Sequence, residues 1–489
     1  MSLLIALCAV LFAGRLILKN YNPQAVLLLS GLVMMAIAVF TNDATFINKS
    51  TGWVGFDLLE YINQLFQKMG GGLGLQIMLI GGFAMYMSAI GASQALVRVT
   101  ARPLQRLNSP YLLLGIAFIL GQTLSLFITS ATGLSLLLMA TLYPVLTRLG
   151  CSRAAAAAVL ASTCAIEFGP GSGNSIMAAQ TSGVDITEYF IHQQLPVAVL
   201  TILAVALLHI LVQRYFDRRD GAMAEEVSLD QEKLQETQSD APPHYVLLPM
   251  LPLFFMLTFS KLGVGTIVIN MNTAVLISVA LSMLCEYLRF RAAKPVMAGL
   301  SVVFSNMGKV FATVVTLIVA GQTFAEGLKS IGAVHDLLDL ASNAGFGSGV
   351  VVLLMALLTF TIAALMGSGN AAFFSFAPML PDIAKRVGGS TAEMILPVQI
   401  SAGMGRTISP IAGVIIAVAG IAGISQVDIV RRTLIPMLGG WCFMLLLTFY
   451  RSGQLLSVLP FIALLVVIMV GAVYAMARKK RSAAQSHAG

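Results

Sequence analysis

Long apolar segments separated by short polar connections fill most of this chain. They lie at about residues 2–18, 25–40, 75–97, 111–147, 154–183, 191–212, 246–260, 266–285, 308–328, 348–384, 391–422, 433–449 and 455–476. A helix needs about 20 apolar residues to cross the hydrocarbon core of a bilayer. Apolar residues make up 58% of the chain and charged residues only 10%, against about 45–50% and roughly 25% in soluble domains. The chain is therefore predicted to fold in a lipid bilayer, which excludes soluble enzymes, nucleic-acid-binding proteins and secreted disulfide scaffolds.

Two of the apolar segments, 111–147 and 348–384, are too long for a single crossing. Small polar residues interrupt each segment near its centre, at 129–133 and at 367–370. Such breaks persist at membrane depth only where protein or a water-filled cavity surrounds the freed backbone groups. We therefore predict two re-entrant hairpins, the first hairpin (111–147) and the second hairpin (348–384). They belong to an all-α polytopic membrane protein with about 11 transmembrane helices.

The distribution of basic residues tests this topology. When each hairpin returns to the side from which it enters, most of the 29 lysine and arginine residues fall on one side of the membrane. When the two long segments are counted as ordinary crossings, the basic residues no longer concentrate on one side of the membrane. Because cytoplasmic loops are enriched in Lys and Arg, the count predicts an N-terminus outside and a cytoplasmic C-terminus. The first hairpin then enters from the cytoplasm and the second from outside.

The two halves of the chain are related by an internal repeat. The motif at 130–133 and the Arg-x-Gly at 148–150 match the motif at 368–371 and the Arg-x-Gly at 386–388 at the same offset. Since their predicted topologies are opposite, these are inverted repeats, which are typical of secondary transporters. The predicted organisation comprises N-terminal scaffold helices and an outer loop (1–74), repeat one (75–213), a cytoplasmic linker (214–245), repeat two (246–450), and a C-terminal helix with a basic tail (451–489).

Each hairpin is followed by a second interruption inside an apolar segment, at 167–175 and at 403–410. Glycine and proline in both stretches predict unwinding of the helix. Four half-helices would then begin near the midplane, and their free N–H groups and positive dipole ends would form an anion site. The alternative is that these small residues only allow close helix packing. The predicted substrate-binding residues are Ser130, Thr132, Gly133, Ser172, Asn174, Ser368, Asn370, Arg406, Thr407 and Ser409.

Arg406 is the most informative of these residues, because it is a charge at predicted membrane depth. Such a charge costs at least about 2.5–3.5 kcal/mol and usually marks a substrate path or an ionic partner. The planar guanidinium suits a carboxylate, which favours a substrate clamp. Glu167 occupies nearly the equivalent place in repeat one, so two alternatives stay open. Arg406 and Glu167 could form a structural pair, or Glu167 could have a coupling-ion or proton role.

Three segments carry a family resemblance: Thr-Ser-Ala-Thr-Gly at 129–133, Met-Gly-Ser-Gly-Asn-Ala at 366–371 and Gly-Arg-Thr-Ile-Ser-Pro at 405–410. In these segments, and over nearly its whole length, the chain resembles the DcuC-type anaerobic C4-dicarboxylate transporters of the ion-transporter superfamily. The resemblance implies a scaffold domain, an elevator-type transport domain with two hairpins, and a homodimer. It also implies fumarate, succinate, malate or aspartate as the substrate class, and a location in the bacterial cytoplasmic (inner) membrane.

Transport by exchange or by ion-coupled symport is the leading functional hypothesis, with Na⁺ or H⁺ as the coupling ion. The alternatives are an ion channel, an ion-only antiporter, or a carrier of another small organic anion on the same fold. ATP-driven pumping is disfavoured because the sequence has no Walker GxxxxGK[ST] motif. No nucleophile–base set or metal-ligand spacing stands at membrane depth, so no enzymatic site, metal or cofactor is predicted.

Overall fold

The structure is a computed structural model of the whole chain. It describes residues 2–467 apart from 20, 43, 48, 107–108, 221–240, 261–262, 265, 334–335, 337–338 and 340–346. All regular secondary structure in these residues is helical. The predicted all-α fold is thereby confirmed, as expected for a bilayer, where the backbone groups must satisfy one another.

Helices α1–α11 form the first half of the chain. They are α1 (Ser2–Leu18), α2 (Pro23–Asn42), α3 (Val54–Gly71), α4 (Leu73–Ala89), α5 (Ala92–Ala101), α6 (Pro110–Leu124), α7 (Ala131–Thr141), α8 (Tyr143–Arg148), α9 (Arg153–Ala161), α10 (Gly173–Ser182) and α11 (Ile186–Asp220). A π-helical segment, Tyr189–Gln194, lies within α11.

Helices α12–α21 form the second half. They are α12 (Pro243–Thr258), α13 (Met271–Phe290), α14 (Ala293–Ser330), α15 (Ser348–Met366), α16 (Gly369–Phe376), α17 (Leu380–Val387), α18 (Thr391–Thr407), α19 (Gly413–Ala422), α20 (Gln426–Arg451) and α21 (Leu455–Val467). A π-helical segment, Phe311–Val315, lies within α14.

Among the described residues, six helices are long and apolar enough to cross a membrane, or up to seven if the bent pair α3–α4 is one span. Shorter apolar helices include α6, α7 and α19. These three flank interruptions in the long apolar segments, which is why none of them reaches full span length. The structure thus supports a multi-pass membrane protein, and the finer count of about 11 crossings stays a prediction.

The helices pack into two groups. In the peripheral group, α14 lies against both α2 and α4, and α13 also packs on α4. In the central group, α15 packs on α18, α11 packs on α6 and α20, and α19 packs on α7 and α9. Close packing within the peripheral group depends on glycine: a Cβ at Gly31 of α2 would lie 2.6 Å from the backbone of Thr323 in α14. The two groups meet mainly where α14 packs on α16.

Four non-helical breaks interrupt the central group. The first break (125–130) separates α6 from α7, and the second break (162–172) separates α9 from α10. The third break (367–368) separates α15 from α16, and the fourth break (408–412) separates α18 from α19. The interruptions predicted inside the two hairpins at 129–133 and 367–370 are therefore confirmed in part, because residues 131–133 and 369–370 are already helical.

The predicted positions of the second and fourth breaks were partly wrong. The second break begins at residue 162, earlier than the predicted 167, and residues 173–175 are already helical. The larger error concerns the fourth break, which was predicted at 403–410, because α18 continues through Thr407. Gly403 and Gly405 do not unwind the helix; they let it approach the backbones of Ala165 and Phe360. The helix ends just before Pro410, since proline lacks an N–H and disfavours helical backbone in the residue before it.

The segment predicted as a cytoplasmic linker, 214–245, is helical at both ends. Helix α11 continues through Asp220, and α12 begins at Pro243. Asp217 is buried instead of solvated. The rest of the predicted linker, 221–240, lies outside the described residues, as does 468–489 of the predicted basic tail.

Candidate functional site

The four breaks each precede the N-terminus of a helix in the central group. Ser130 and Ser368 occupy matching positions in the two repeats, and both cap the helix that follows. The Ser130 hydroxyl accepts from the Gly133 N–H at 3.1 Å, and the Ser368 hydroxyl accepts from the Ala371 N–H at 3.3 Å. Serine is preferred at this position because its side chain satisfies a backbone donor that lacks a helical partner. Each hydroxyl keeps its own proton available for a ligand.

Packing between the breaks is revealed by glycines that lack room for a side chain. A Cβ at Gly171 would lie 3.2 Å from Cγ2 of Thr129, so the first and second breaks are in contact. A Cβ at Gly367 would lie 3.0 Å from the Ala412 nitrogen, so the third and fourth breaks are also in contact.

Three further contacts connect these pairs. A Cβ at Gly413, the first residue of α19, would lie 3.9 Å from Oγ1 of Thr132 in α7. Helix α18 makes the other two contacts: a Cβ at its Gly403 would lie 3.4 Å from Cγ of Glu167, and a Cβ at Gly369 of α16 would lie 2.9 Å from the Ala402 oxygen. The starts of α7, α10, α16 and α19 therefore lie close together in one region of the central group.

An ion pair lies in this region. Nη1 of Arg406 donates to Oε1 of Glu167 at 2.8 Å, and Nη2 donates to the Cys164 carbonyl at 2.9 Å. The Asn174 side-chain amide donates to the other carboxylate oxygen of Glu167. The side chains of Arg406 and Glu167 are only 15% and 14% exposed. The arginine at the end of α18 is thus tied to two residues of the second break.

Three buried polar atoms at the site have no hydrogen-bond partner among the described residues. They are Nε of Arg406, Oδ1 of Asn174 and Oγ of Ser409. Most buried polar atoms in proteins are hydrogen-bonded, and leaving one unpaired costs about 1–3 kcal/mol. Two donors and an acceptor in this state, beside an ion pair and four helix N-termini, are typical of a site built to bind a polar ligand.

Some of the predicted site residues contact one another directly, and others lie elsewhere along the breaks. Glu167, Asn174 and Arg406 are linked directly, whereas Thr132 lies beside the start of α19. The hydroxyl of Thr407 donates to the Gly403 carbonyl of its own helix at 2.9 Å, which is a structural use of that hydroxyl. The remaining predicted residues lie at helix starts next to the breaks: Gly133 in α7, Ser172 before α10, Asn370 in α16 and Ser409 in the fourth break.

A buried amide network behind the ion pair was missed by the sequence analysis. Gln399 of α18 donates to the Glu167 carbonyl at 3.0 Å and to the Ser175 hydroxyl at 3.1 Å. Gln194 donates to the same hydroxyl at 2.8 Å and accepts from the Gly169 N–H at 3.0 Å. Tyr189 donates to Gln399 at 2.8 Å. The available signal was a glutamine inside each of two apolar segments, since polar groups at membrane depth face protein instead of lipid.

We expect Gln399→Leu to loosen the second break. The substitution leaves the Glu167 carbonyl and the Tyr189 hydroxyl without their partner, at about 1–3 kcal/mol for each group left unpaired. Thermal unfolding of the purified protein measures this loss, with the exposed Gln180→Leu of α10 as the matched control. Equal melting temperatures for the two variants would show that the network does not hold the break.

Comparisons with known proteins agree with this geometry. The family described as C4-dicarboxylate anaerobic carrier, DcuC, matches residues 1–452. The chain is 36% identical over 449 residues to the anaerobic C4-dicarboxylate transporter DcuC of Escherichia coli K12, covering 91% of this chain and 96% of that protein. It is 37% identical over 443 residues to the probable DcuC of Vibrio cholerae, covering 90% and 95%.

Two solved transporter structures share the fold. The YdaH transporter of Alcanivorax borkumensis aligns with a TM-score of 0.60 at 17% identity, covering 88% of this chain and 98% of that one. MtrF of Neisseria gonorrhoeae aligns with a TM-score of 0.55 at 14% identity, covering 86% and 94%. Because the family match and both relatives extend over about nine-tenths of the chain, this protein belongs to the DcuC family of C4-dicarboxylate anaerobic carriers.

Proposed function

We propose that this protein is a secondary transporter of C4-dicarboxylates such as fumarate, succinate, malate and aspartate. The substrate binds where the four breaks meet, and Arg406 holds one of its carboxylates. The observation that carries this proposal is the proximity of four helix N-termini to the ion pair of Arg406, whose Nε is buried without a partner among the described residues. Helix N-termini attract anions, and guanidinium N–H groups bind carboxylates strongly.

Glu167 orients the arginine in this account. It engages Nη1 while the Cys164 carbonyl engages Nη2, which fixes the plane of the guanidinium. A structural ion pair and a substrate clamp are therefore compatible, because arginine has five donors. Ser130, Thr132, Ser368 and Asn370 contribute hydroxyl and amide donors from the hairpin tips, and Ser172, Asn174, Thr407 and Ser409 line the other two breaks.

The transport cycle is proposed to follow the alternating access of inverted-repeat carriers. The central group, with both hairpins, moves as an elevator-type transport domain against the peripheral group, which acts as the scaffold. Transport proceeds by exchange or by symport with Na⁺ or H⁺. The proposed assembly is a homodimer in the bacterial inner membrane, with about 11 crossings per chain, the N-terminus outside and the C-terminus in the cytoplasm.

Uptake of labelled succinate into proteoliposomes tests the function. We expect uptake to depend on the protein and to increase when the vesicles contain fumarate or when a Na⁺ or H⁺ gradient is imposed; applying each condition separately identifies the coupling mode. Protein-dependent ion flux without movement of dicarboxylate would support the ion-only antiporter instead.

The hairpin tips give a residue-level prediction. Thr132→Val or Asn370→Leu removes a donor from a desolvated site at about 1–3 kcal/mol, so we expect succinate affinity to fall roughly tenfold to a hundredfold. Thr141→Val is the matched control, because its hydroxyl donates only within α7, to Leu137 and Leu138. The affinity is measured by titrating succinate into each purified variant. Unchanged affinity in both tip variants would assign these residues to helix packing.

A further inference from the structure

A polar cavity lies between α3, α14 and the second hairpin, and none of its lining residues belongs to the four breaks. Its volume is about 370 Å³, which is within the usual range for a small-molecule site. Polar residues at helical spacing line it from two sides: Tyr61, Gln64 and Lys68 on α3, and Gln322, Glu326 and Lys329 on α14. Residues at i, i+3 or i+4, and i+7 share a helix face, so one polar face of each helix lines the cavity.

The charges of this cavity comprise one close ion pair and two groups that have no direct partner among the described residues. Lys329 forms an ion pair with Asp382 of α17 at 2.9 Å, which links α14 to the second hairpin. The Lys68 ammonium and the Glu326 carboxylate have no hydrogen bond or ion pair with any other described residue. Lys68 is exposed and Glu326 is half-buried. Lys329, which contacts Asp382, also attracts the Glu326 carboxylate but forms no ion pair with it. A carboxylate that is partly withdrawn from water with no cation in direct contact is costly. The cavity thus presents one available cation and one available anion.

The arrangement of these charged side chains determines which ligand charges the cavity can bind. A dianion in contact with Lys68 would be repelled by Glu326, and a simple cation in contact with Glu326 would be repelled by Lys68 and Lys329. Only a molecule that carries both signs contacts Lys68 and Glu326 favourably at the same time, because like charges placed close to one another repel. The glutamine amides and the Tyr61 hydroxyl supply neutral hydrogen bonds to either end.

We propose that this cavity binds a small zwitterion with a primary ammonium at one end and a carboxylate or phosphate at the other. Glu326 accepts from the ammonium, and Lys68 donates to the anionic group. An α-amino acid and the ethanolamine phosphate headgroup of a lipid share this chemistry. The site is separate from the dicarboxylate site and does not depend on the function proposed above.

Calorimetric titration of the purified full-length protein tests the proposal, with L-alanine and O-phosphoethanolamine as probes. We expect at least one of them to bind, whereas ethanolamine, acetate and inorganic phosphate, which carry one sign of charge each, bind at least about tenfold more weakly. Lys68→Gln and Glu326→Gln should each weaken zwitterion binding by roughly tenfold or more. Lys385→Gln and Glu393→Gln are the matched controls, because both residues are exposed and lie outside the cavity.

Nanodiscs of phosphatidylglycerol, with or without phosphatidylethanolamine, identify the source of the ligand. Competition between the ethanolamine lipid and soluble phosphoethanolamine assigns the site to a headgroup; L-alanine binding that is unaffected by lipid assigns it to a free amino acid. Arg406→Lys should leave zwitterion binding unchanged, and Lys68→Gln should leave succinate binding unchanged, so the two sites are tested separately. The proposal is overturned if neither zwitterion binds, or if binding persists unchanged in Lys68→Gln and Glu326→Gln.

Discussion

Removing either Arg406 or Glu167 alone should destabilise the protein by about 3–5 kcal/mol, because each single substitution leaves the other charge buried without its partner. Arg406→Ala strands the Glu167 carboxylate, and Glu167→Ala strands a guanidinium that is only 15% exposed. The double variant should lose much less stability, since neither charge is left buried without its partner. A double-mutant cycle scored by thermal unfolding measures the coupling energy between the two side chains.

The same cycle separates the substrate clamp from a purely structural pair. We expect the double variant to fold but not to transport, because the carboxylate-binding fork has been removed along with its partner. Arg406→Lys should also fold and lose most of its uptake, since lysine keeps the charge and lacks the planar fork. Arg431→Ala is the matched control: that arginine pairs with Asp220 at 3.1 Å and is more exposed, so about 1 kcal/mol or less is expected. Normal succinate uptake by the double variant would refute the clamp.

Gly405→Ala should be nearly as damaging, although it adds a single methyl group. A Cβ at this position of α18 would collide with the carbonyl of Phe360, whose carbon would lie at 2.9 Å, so α15 would have to move away. Backbone cannot yield as a flexible side chain does, and we expect a cost of about 3 kcal/mol, at the upper end for overpacking. Transport should fall too, because α15 leads directly into the third break.

Gly420→Ala provides the matched control for this substitution. Gly420 lies in α19, and nothing is within 4 Å of the position that its Cβ would occupy. Alanine favours a helix over glycine by roughly 0.5–1 kcal/mol, so this variant should be neutral or slightly more stable. Thermal unfolding and succinate uptake of both variants give the comparison. If Gly405→Ala were as stable and active as Gly420→Ala, close packing of α18 on α15 would not be required.

The first and third breaks could be predicted from the small polar residues that interrupt a long apolar segment at 129–133 and 367–370, although the helices that follow already begin at residues 131 and 369. Nothing in a bilayer replaces lost backbone hydrogen bonds, so such interruptions are conspicuous. The predicted unwinding at 403–410 was wrong, because glycine has two physical uses there. Gly403 and Gly405 permit contact with neighbouring backbones inside a continuous helix, and a linear sequence does not distinguish this use from unwinding.

The partners of polar residues were the least predictable part of the site. Spacing in the repeat suggested that Arg406 and Glu167 could meet, but the roles of Gln194 and Gln399 depend on which helix faces touch. Asp217 illustrates the same limit. It stands in a charged stretch that is typical of a solvated linker, yet it pairs with Arg432 at 2.6 Å and accepts from Ser152 at 2.6 Å. The acidic residue is buried because α20 brings a matching cation to α11.

The central claim is that a C4-dicarboxylate binds where the four breaks meet, against Arg406. Anomalous diffraction from crystals of the protein soaked in bromofumarate tests it most directly, since bromine marks the ligand independently of the protein. The account predicts a bromine peak within contact distance of the region bounded by Arg406, Asn174, Thr132 and Asn370, which disappears in Arg406→Lys crystals. A peak located elsewhere, or one of equal height in Arg406→Lys, would contradict it.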